Sequence, residues 1–235
     1  MADIPPVIIA SERGEVGLPA AMELLRQGGS ALDAVEAALR LCEDNLSDHY
    51  VGTNGLPNAR GEVELDASVM IGSSRAFGAV AGLKGYPHPV SVARAVLEKL
   101  PQHALLVREG AALFAQECGF ATAELLTPEA APGAGNYCDL RSGGAACTGR
   151  GELSLRAGTA RHIVDLLASG LDAAAACHEA LADAALLPDA FRAELRALAL
   201  TPDGRHGGSA GTPGATYAVV TADDQSPRTE SRSVA

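Results

Sequence analysis

The sequence predicts a mixed α/β fold, and three observations carry that prediction. Short apolar stretches with strand-like alternation, such as residues 62–70 and 76–83, trade places along the chain with longer stretches whose apolar residues recur at helical spacing. Glycine-rich turns separate the two kinds of segment. The composition, 47% hydrophobic and 20% charged over 235 residues, is that of a globular chain long enough to bury a core as one domain.

Taken in order, Val7-Ile-Ile-Ala10 follows two prolines and reads as a short buried strand. Residues 17–27 read as a helix closed by Gly28-Gly29. Ser30 stands three residues before Asp33, the spacing of a capping box, and the helix it opens carries Leu32, Val35, Leu39 and Cys42 on one face. Residues 45–60 are polar and rich in Gly, Pro and Asn, hence a loop. Two strands follow at 62–70 and 76–83, with Gly72 and Ser73 in the turn. Pro89 suits the first turn of a helix running to Lys99. Leu105-Leu-Val107 is short and apolar, and a helix follows over 109–118. Beyond the glycine-rich stretch, helices are expected over 157–168, 172–184 and 189–193. Late strands are expected at 195–201 and 215–221, around a glycine-rich loop that holds Gly207-Gly-Ser209-Ala-Gly211. From Ala222 the chain is polar and is expected to fray.

Composition excludes several classes of function. A net charge of −11 argues against nucleic acid and anionic membranes as partners, because a polyphosphate surface is met with a basic patch. No apolar run approaches the roughly 20 residues that span a bilayer. The start has neither a basic region nor a long apolar one, so no signal peptide is expected and the cytoplasm is the expected location. Five cysteines with no C-x-x-C indicate neither a disulfide framework nor a zinc knuckle, and most are expected to be small buried residues. The six histidines are scattered, none at the i, i+4 spacing of a helical metal site. They read as exposed polar residues, and no metal or cofactor is expected.

The stretch 131–167 is the most informative. Six glycines, from Gly133 to Gly151, fall within nineteen positions, and Thr148 lies among them between Cys147 and Gly149. Such a turn presents backbone N–H groups that can hold an anion or a developing oxyanion, and Thr148 adds a hydroxyl. The plain alternative is a tight loop between packed elements. G-A-G-N-Y at 133–137, A-A-C-T-G-R-G-E at 145–152 and R-A-G-T-A at 156–160 resemble the segment that follows the nucleophile in aspartylglucosaminidases, a branch of the plant-type asparaginase and isoaspartyl peptidase family of N-terminal-nucleophile hydrolases. G-G-S-A-L-D-A-V-E-A at 28–37, V-G-T-N-G-L-P-N at 51–58, G-E-V-E-L-D-A at 61–67, H-P-V-S-V-A-R-A at 88–95 and L-L-V-R-E-G-A at 105–111 extend the resemblance over the first half. Ile71 departs from it, standing where the family usually has an acidic residue.

The resemblance implies a four-layer αββα sandwich, one domain over 1–221 with a polar tail at 222–235, and hydrolysis of a side-chain amide of asparagine, of a β-aspartyl peptide or of glycosylasparagine. It also implies that Thr148 and Gly149 are oxyanion and substrate-binding groups, with Gly151 allowing close backbone approach. The family's nucleophile is a threonine freed by self-cleavage, followed by a substrate-binding arginine and a Gly-Asp-Ser-Pro turn. Here Leu126-Thr-Pro-Glu-Ala130 runs straight into Ala131-Pro-Gly-Ala-Gly135, so that segment is absent near 127–133 and the sandwich should be incomplete at its centre. No catalytic residue is assigned: Thr53, Thr127, Thr159, Thr201, Thr212 and Thr216 lack the combination of strand, base and donors that a nucleophile needs. Gly207–Gly211 fits G-x-S-x-G in letters only and reads as a flexible turn. Asp66 reads as a hydrogen-bonded structural carboxylate. The expectation is an impaired amidohydrolase that stays uncleaved, with a small asparagine-derived amide as its ligand if any, and with dimerisation a possible result of exposed apolar faces. A non-catalytic binding or assembly partner of an intact paralogue is the alternative.

Overall fold

A computed structural model of the chain describes residues 5–48, 50–58, 60–125, 135–189 and 194–235. The expected junction at 127–133, His49, Thr127 and the helix expected over 189–193, apart from Asp189, lie outside the described residues. The described residues form an α/β structure with seven α-helices and three sheets.

The chain opens with β1 (Val7–Ser11), α1 (Leu18–Arg26) and α2 (Ala31–Glu43). The capping box forms as expected: Ser30 Oγ accepts from Asp33 N–H, and Asp33 accepts from Ser30 N–H, both at 3.1 Å. The buried face of α2 differs from the expected one. Ala34, Ala38 and Cys42 are buried, while Val35 and Leu39 are exposed. The reason is a close backbone crossing: a Cβ on Gly17 would lie 2.3 Å from the carbonyl oxygen of Ala38, so only small side chains fit on that face.

β2 (Leu65–Met70) and β3 (Phe77–Leu83) form the expected hairpin. Its register shifts between Leu65 and Ala67, and there Asp66 Oδ1 accepts from Gly82 N–H at 2.7 Å. Asp66 is therefore a structural carboxylate holding a bulge. α3 (Pro89–Lys99), β4 (Leu105–Val107) and α4 (Arg108–Glu117) follow, and β4 pairs parallel to β3. The second half holds β5 (Asn136–Asp139), β6 (Gly143–Gly149), α5 (Gly151–Ala157), α6 (Thr159–Ala168), α7 (Ala173–Ala185), β7 (Leu195–Leu200), β8 (His206–Ala210), β9 (Thr216–Thr221), β10 (Arg228–Ser231) and β11 (Ser233–Val234).

Four layers are visible. α1 packs Leu18 and Met22 on Ala218 and Val220 of the sheet β1-β9-β10. The other face of that sheet, with buried Tyr217 and Val219, meets the sheet β11-β8-β7-β6-β5, where His206 Nδ1 lies 2.8 Å from Tyr217 Oη. The far side of the second sheet packs Ala145, Cys147, Ala197 and Ala199 under Ile163 and Val164 of α6 and Ala176 and Cys177 of α7. The sheet β2-β3-β4 stands apart, with Val80 under α3 and α4. β2 and β5 run side by side in the same direction but make no ladder. Leu140 N–H donates to Gly72 O at 2.9 Å, while Cys138 N–H meets the Met70 thioether at 3.3 Å. This gap is where the sandwich is incomplete.

Two expectations about local order are corrected. Residues 207–210 are not a flexible turn but part of β8, held between β7 and β11, with Ser209 fully buried. A Cβ on Gly207 would lie 2.5 Å from Ala174 N, so the glycine serves a close helix–strand approach that local sequence cannot express. Residues 222–235 do not fray as a polar tail: β10 pairs with β9, and β11 with β8. Between them Arg232 is buried and donates to Ala197 O, Thr216 O and Glu12.

Candidate functional site

β6 alternates between the two faces of its sheet. Ala145 and Cys147 go to the helices, so Thr148 goes to the side shared with its cross-strand partner Arg196. Arg196 donates to Glu12 at 3.0 Å and to Glu194 at 2.6 Å, and Glu12 also accepts from Arg232 at 3.2 Å and from Thr216 N–H at 3.2 Å. Thr212 Oγ1 donates to Glu194 at 2.6 Å. Two arginines and two carboxylates thus sit beside Thr148, where the two central sheets meet. The Arg196 guanidinium holds the Glu194 carboxyl below the usual range and is itself raised by Glu194. Both stay charged at neutral pH.

The turn after Thr148 demands glycine. Gly149 has φ +100°, and a Cβ there would lie 2.1 Å from Glu194 O. Arg150 N–H donates to that same carbonyl at 2.9 Å, and the Arg150 guanidinium reaches Asp189 at 3.0 Å and Glu152 at 2.6 Å. Gly151 is buried and begins α5. The stretch Thr148 to Gly151 is therefore a fixed turn beside charged groups. It can present donors, but the cross-strand neighbour of Thr148 is a cation, and a cation cannot take a proton from a hydroxyl.

Two of the other threonines considered are employed structurally. Thr159 is fully buried and donates to Ser154 O at 3.4 Å, and Thr201 Oγ1 donates to Arg205 O at 2.8 Å. Three of the described histidines, His88, His162 and His206, are less exposed than expected. His88 is half-buried, its Nδ1 3.3 Å from the buried Glu43, and burial lowers His206 from the ordinary imidazole value. His162 faces Asp183 at 3.7 Å, while Asp165 is held by Arg161 at 2.8 Å. Among the described residues no cluster of His, Cys, Asp or Glu is arranged to hold a metal. Cys42, Cys147 and Cys177 are buried as expected, and burial pushes the last two thiols up to about 11 and about 12. Cys118 and Cys138 are half-buried.

The family model for asparaginase matches this chain over residues 15–131 and 127–229. The chain belongs to the asparaginase family. Among the relatives of this asparaginase-family chain, the N(4)-(β-N-acetylglucosaminyl)-L-asparaginase of Elizabethkingia miricola is 46% identical over 109 residues, 46% of this chain and 32% of that protein. The plant-type L-asparaginase of Pyrococcus horikoshii is 48% identical over 101 residues, 43% of this chain and 32% of that protein. The isoaspartyl peptidase/L-asparaginase of Bos taurus is 43% identical over 99 residues, again 32% of its length. The chain spans about a third of the length of the relatives it matches.

Sequence reasoning missed Glu12, Glu194, Arg196 and Arg232. The signal for Arg196 was a charged residue inside the apolar strand L-R-A-L-A-L. A charge there needs a partner, and its partners are Glu12, just past the end of β1, and Glu194, just before β7.

Proposed function

We propose that this asparaginase-family chain keeps a substrate-facing turn at Thr148, Gly149 and Gly151 but does not hydrolyse amides, because the segment with the threonine nucleophile is missing near 127–133. The observation that carries this reading is that the two matched segments, 15–131 and 127–229, abut where the resemblance puts that nucleophile. The electrostatics beside Thr148 support it. Arg196 is a permanent cation, and an ionised Glu194 held by that arginine is a poor base. Donors stabilise an oxyanion only after a nucleophile has made one. The ligand of the turn, in this reading, is a small asparagine-derived amide, and no cofactor takes part. One domain over 1–221, extended by the strands at 228–234, and a cytoplasmic location belong to the same reading. No helix among the described residues is long and apolar enough to cross a membrane.

The second reading, a non-catalytic binding or assembly partner of an intact paralogue, is favoured by the exposed Phe77, Leu105 and Val107 on one face of the sheet β2-β3-β4. The test of the first reading is aspartate release from asparagine, a β-aspartyl dipeptide and glycosylasparagine. Loss of a nucleophile commonly costs several orders of magnitude, so release at the blank rate and a single intact mass on storage are expected. Turnover that disappears in Thr148→Ala would overturn the reading and make Thr148 the nucleophile.

A further inference from the structure

At the end of the second sheet remote from Thr148, three turns enclose a cleft of about 630 Å³. Arg141 comes from the β5–β6 turn, Leu167 and Leu171 from the end of α6 and its link to α7, and Pro202 and Arg205 from the β7–β8 turn. Each wall is bonded within itself. Ser142 N–H donates to Asp139 O at 3.0 Å, Gly170 N–H to Leu167 O at 3.0 Å, and Thr201 N–H to Arg205 O at 2.8 Å. Gly143 has φ +132°, and a Cβ there would lie 2.4 Å from Leu200 O and 3.0 Å from a methyl of Leu167. Strand, turn and helix are therefore in direct contact at the base of the walls, and the cleft is set before any ligand arrives.

The charges around it are unequal. Arg141 and Arg75 share one carboxylate, Asp139, at 2.6 and 3.8 Å. Asp203 holds Arg205 at 2.8 Å and also accepts from Thr201 Oγ1. Asp172, next to Leu171, is taken up by Ala175 N–H as the cap of α7. The Arg141 guanidinium keeps Asp139, and the Thr201 hydroxyl with the Arg205 guanidinium keeps Asp203, below the usual carboxylate range, so both stay ionised. Three guanidinium groups thus meet two carboxylates, and one positive charge is left over. The aspartates also occupy only part of each fork. Arg141 and Arg205 are 77% and 69% exposed, and Nη1 of Arg141 and both Nη atoms of Arg205 have no partner among the described residues.

We propose that this cleft binds a small organic phosphate monoester, with its phosphate between Arg141 and Arg205 and its apolar body against Leu167, Leu171 and Pro202. A carboxylate offers two oxygens in one plane and is satisfied by a single guanidinium fork. A phosphate offers three oxygens in a tetrahedral arrangement and accepts from two walls at once. The leftover charge suits an anion, while the net charge of −11 turns away a long polyanion such as nucleic acid. The volume is that of a site for a small molecule. The cleft and the turn at Thr148 lie at opposite ends of β6, about 17 Å apart along the strand, so binding here does not depend on the fate of the nucleophile.

Calorimetric titration of the full chain with phenyl phosphate tests this, at about pH 7.5 where the ester is a dianion. One site per chain is expected, and for so small a ligand the Kd should be on the order of 1 mM at low salt. Arg141→Gln and Arg205→Gln should each weaken binding at least about fivefold, and the double variant should abolish it. Both side chains are mostly exposed, so the melting midpoints of these variants should match the parent's. Arg40→Gln, which removes an exposed arginine of α2 and the same unit of charge, should leave binding unchanged, and so should Thr148→Ala. Leu171→Ala should weaken phenyl phosphate several-fold and leave inorganic phosphate as it was. Benzoate should bind at least about fivefold more weakly than phenyl phosphate. No saturable binding up to about 20 mM, equal binding of benzoate or of inorganic phosphate, or a double arginine variant that binds like the parent overturns the proposal. Loss of binding in Thr148→Ala would place the anion at the turn instead and overturns it too.

Discussion

The sheet containing β6, β7 and β8 and the sheet β2-β3-β4 are built from nearly the same residue types, and they end in different environments. β7 reads L-R-A-L-A-L and β3 reads F-G-A-V-A-G-L. Ala197 and Ala199 of β7 are fully buried under α6 and α7, while Leu198 on its other face is also buried, on the side where β7 meets β1. β3 is buried toward its helices only. An apolar strand thus announces a need for cover on both faces, but the cover is supplied by other parts of the chain. Where the chain provides a second sheet the strand is core, and where it does not the strand is surface.

The largest expected effect falls where the two central sheets are joined. Arg232→Ala removes the buried cation that donates to Ala197 O and Thr216 O and leaves the half-buried Glu12 with Arg196 alone, so it should cost about 3–5 kcal/mol in urea unfolding. A loss under about 1 kcal/mol would mean that the network is hydrated and the sheets are joined by apolar contact alone.

Next comes the direct contrast of the two sheets. Ile163 is fully buried against the first sheet, and Ile163→Ala should cost about 2–4 kcal/mol. Phe77→Ala, on the open face, should cost under about 1 kcal/mol in dilute monomer, as surface substitutions do. Equal losses would show that the open face is covered within one chain.

The smallest effects are pH-dependent and of opposite sign. Asp33 is held down to about 2 by its hydrogen bonds to Ser30 and Arg94. Its folded value lies below its unfolded one, so its contribution is present above about pH 4 and is lost as pH falls toward 2. Asp33→Asn should therefore be less stable than the parent at pH 6 and indistinguishable from it at pH 2. Burial raises Glu43, so its contribution is present below its unfolded value and is lost as pH rises through the folded one. Glu43→Gln should gain on the parent between pH 4 and pH 7. Parallel melting curves for the two variants across this range would refute the assignment of opposite shifts.

Much of the fold was legible because it rests on local rules. The Ser30–Asp33 box, Pro89 at the start of α3 and the β2–β3 hairpin follow from capping, fixed φ and period-two alternation. The turn after Thr148 was legible from Gly149 and Gly151, and Gly149 has the positive φ that glycine permits, but Thr148 itself lies in β6, and the β5–β6 pair stands where a glycine-rich loop was expected. The charged surroundings of that turn were not, because Glu12 and Arg232 are 220 residues apart and meet only across the two sheets.

By itself, then, the sequence determined the α/β class, most of the helices and first-half strands, the family and the glycine turn, since each depends on neighbours in the chain. Tertiary structure alone decided which face of α2 is buried, that Gly207-Gly-Ser209 is a strand and that the last residues are anchored. In each case backbones approach so closely, or a buried charge is so costly, that a distant residue overrules the local pattern. It also decided that, among the described residues, the face of β2-β3-β4 with Phe77, Leu105 and Val107 stands exposed. A run of apolar residues states that cover is needed, and only the packing of the whole chain says whether it is there.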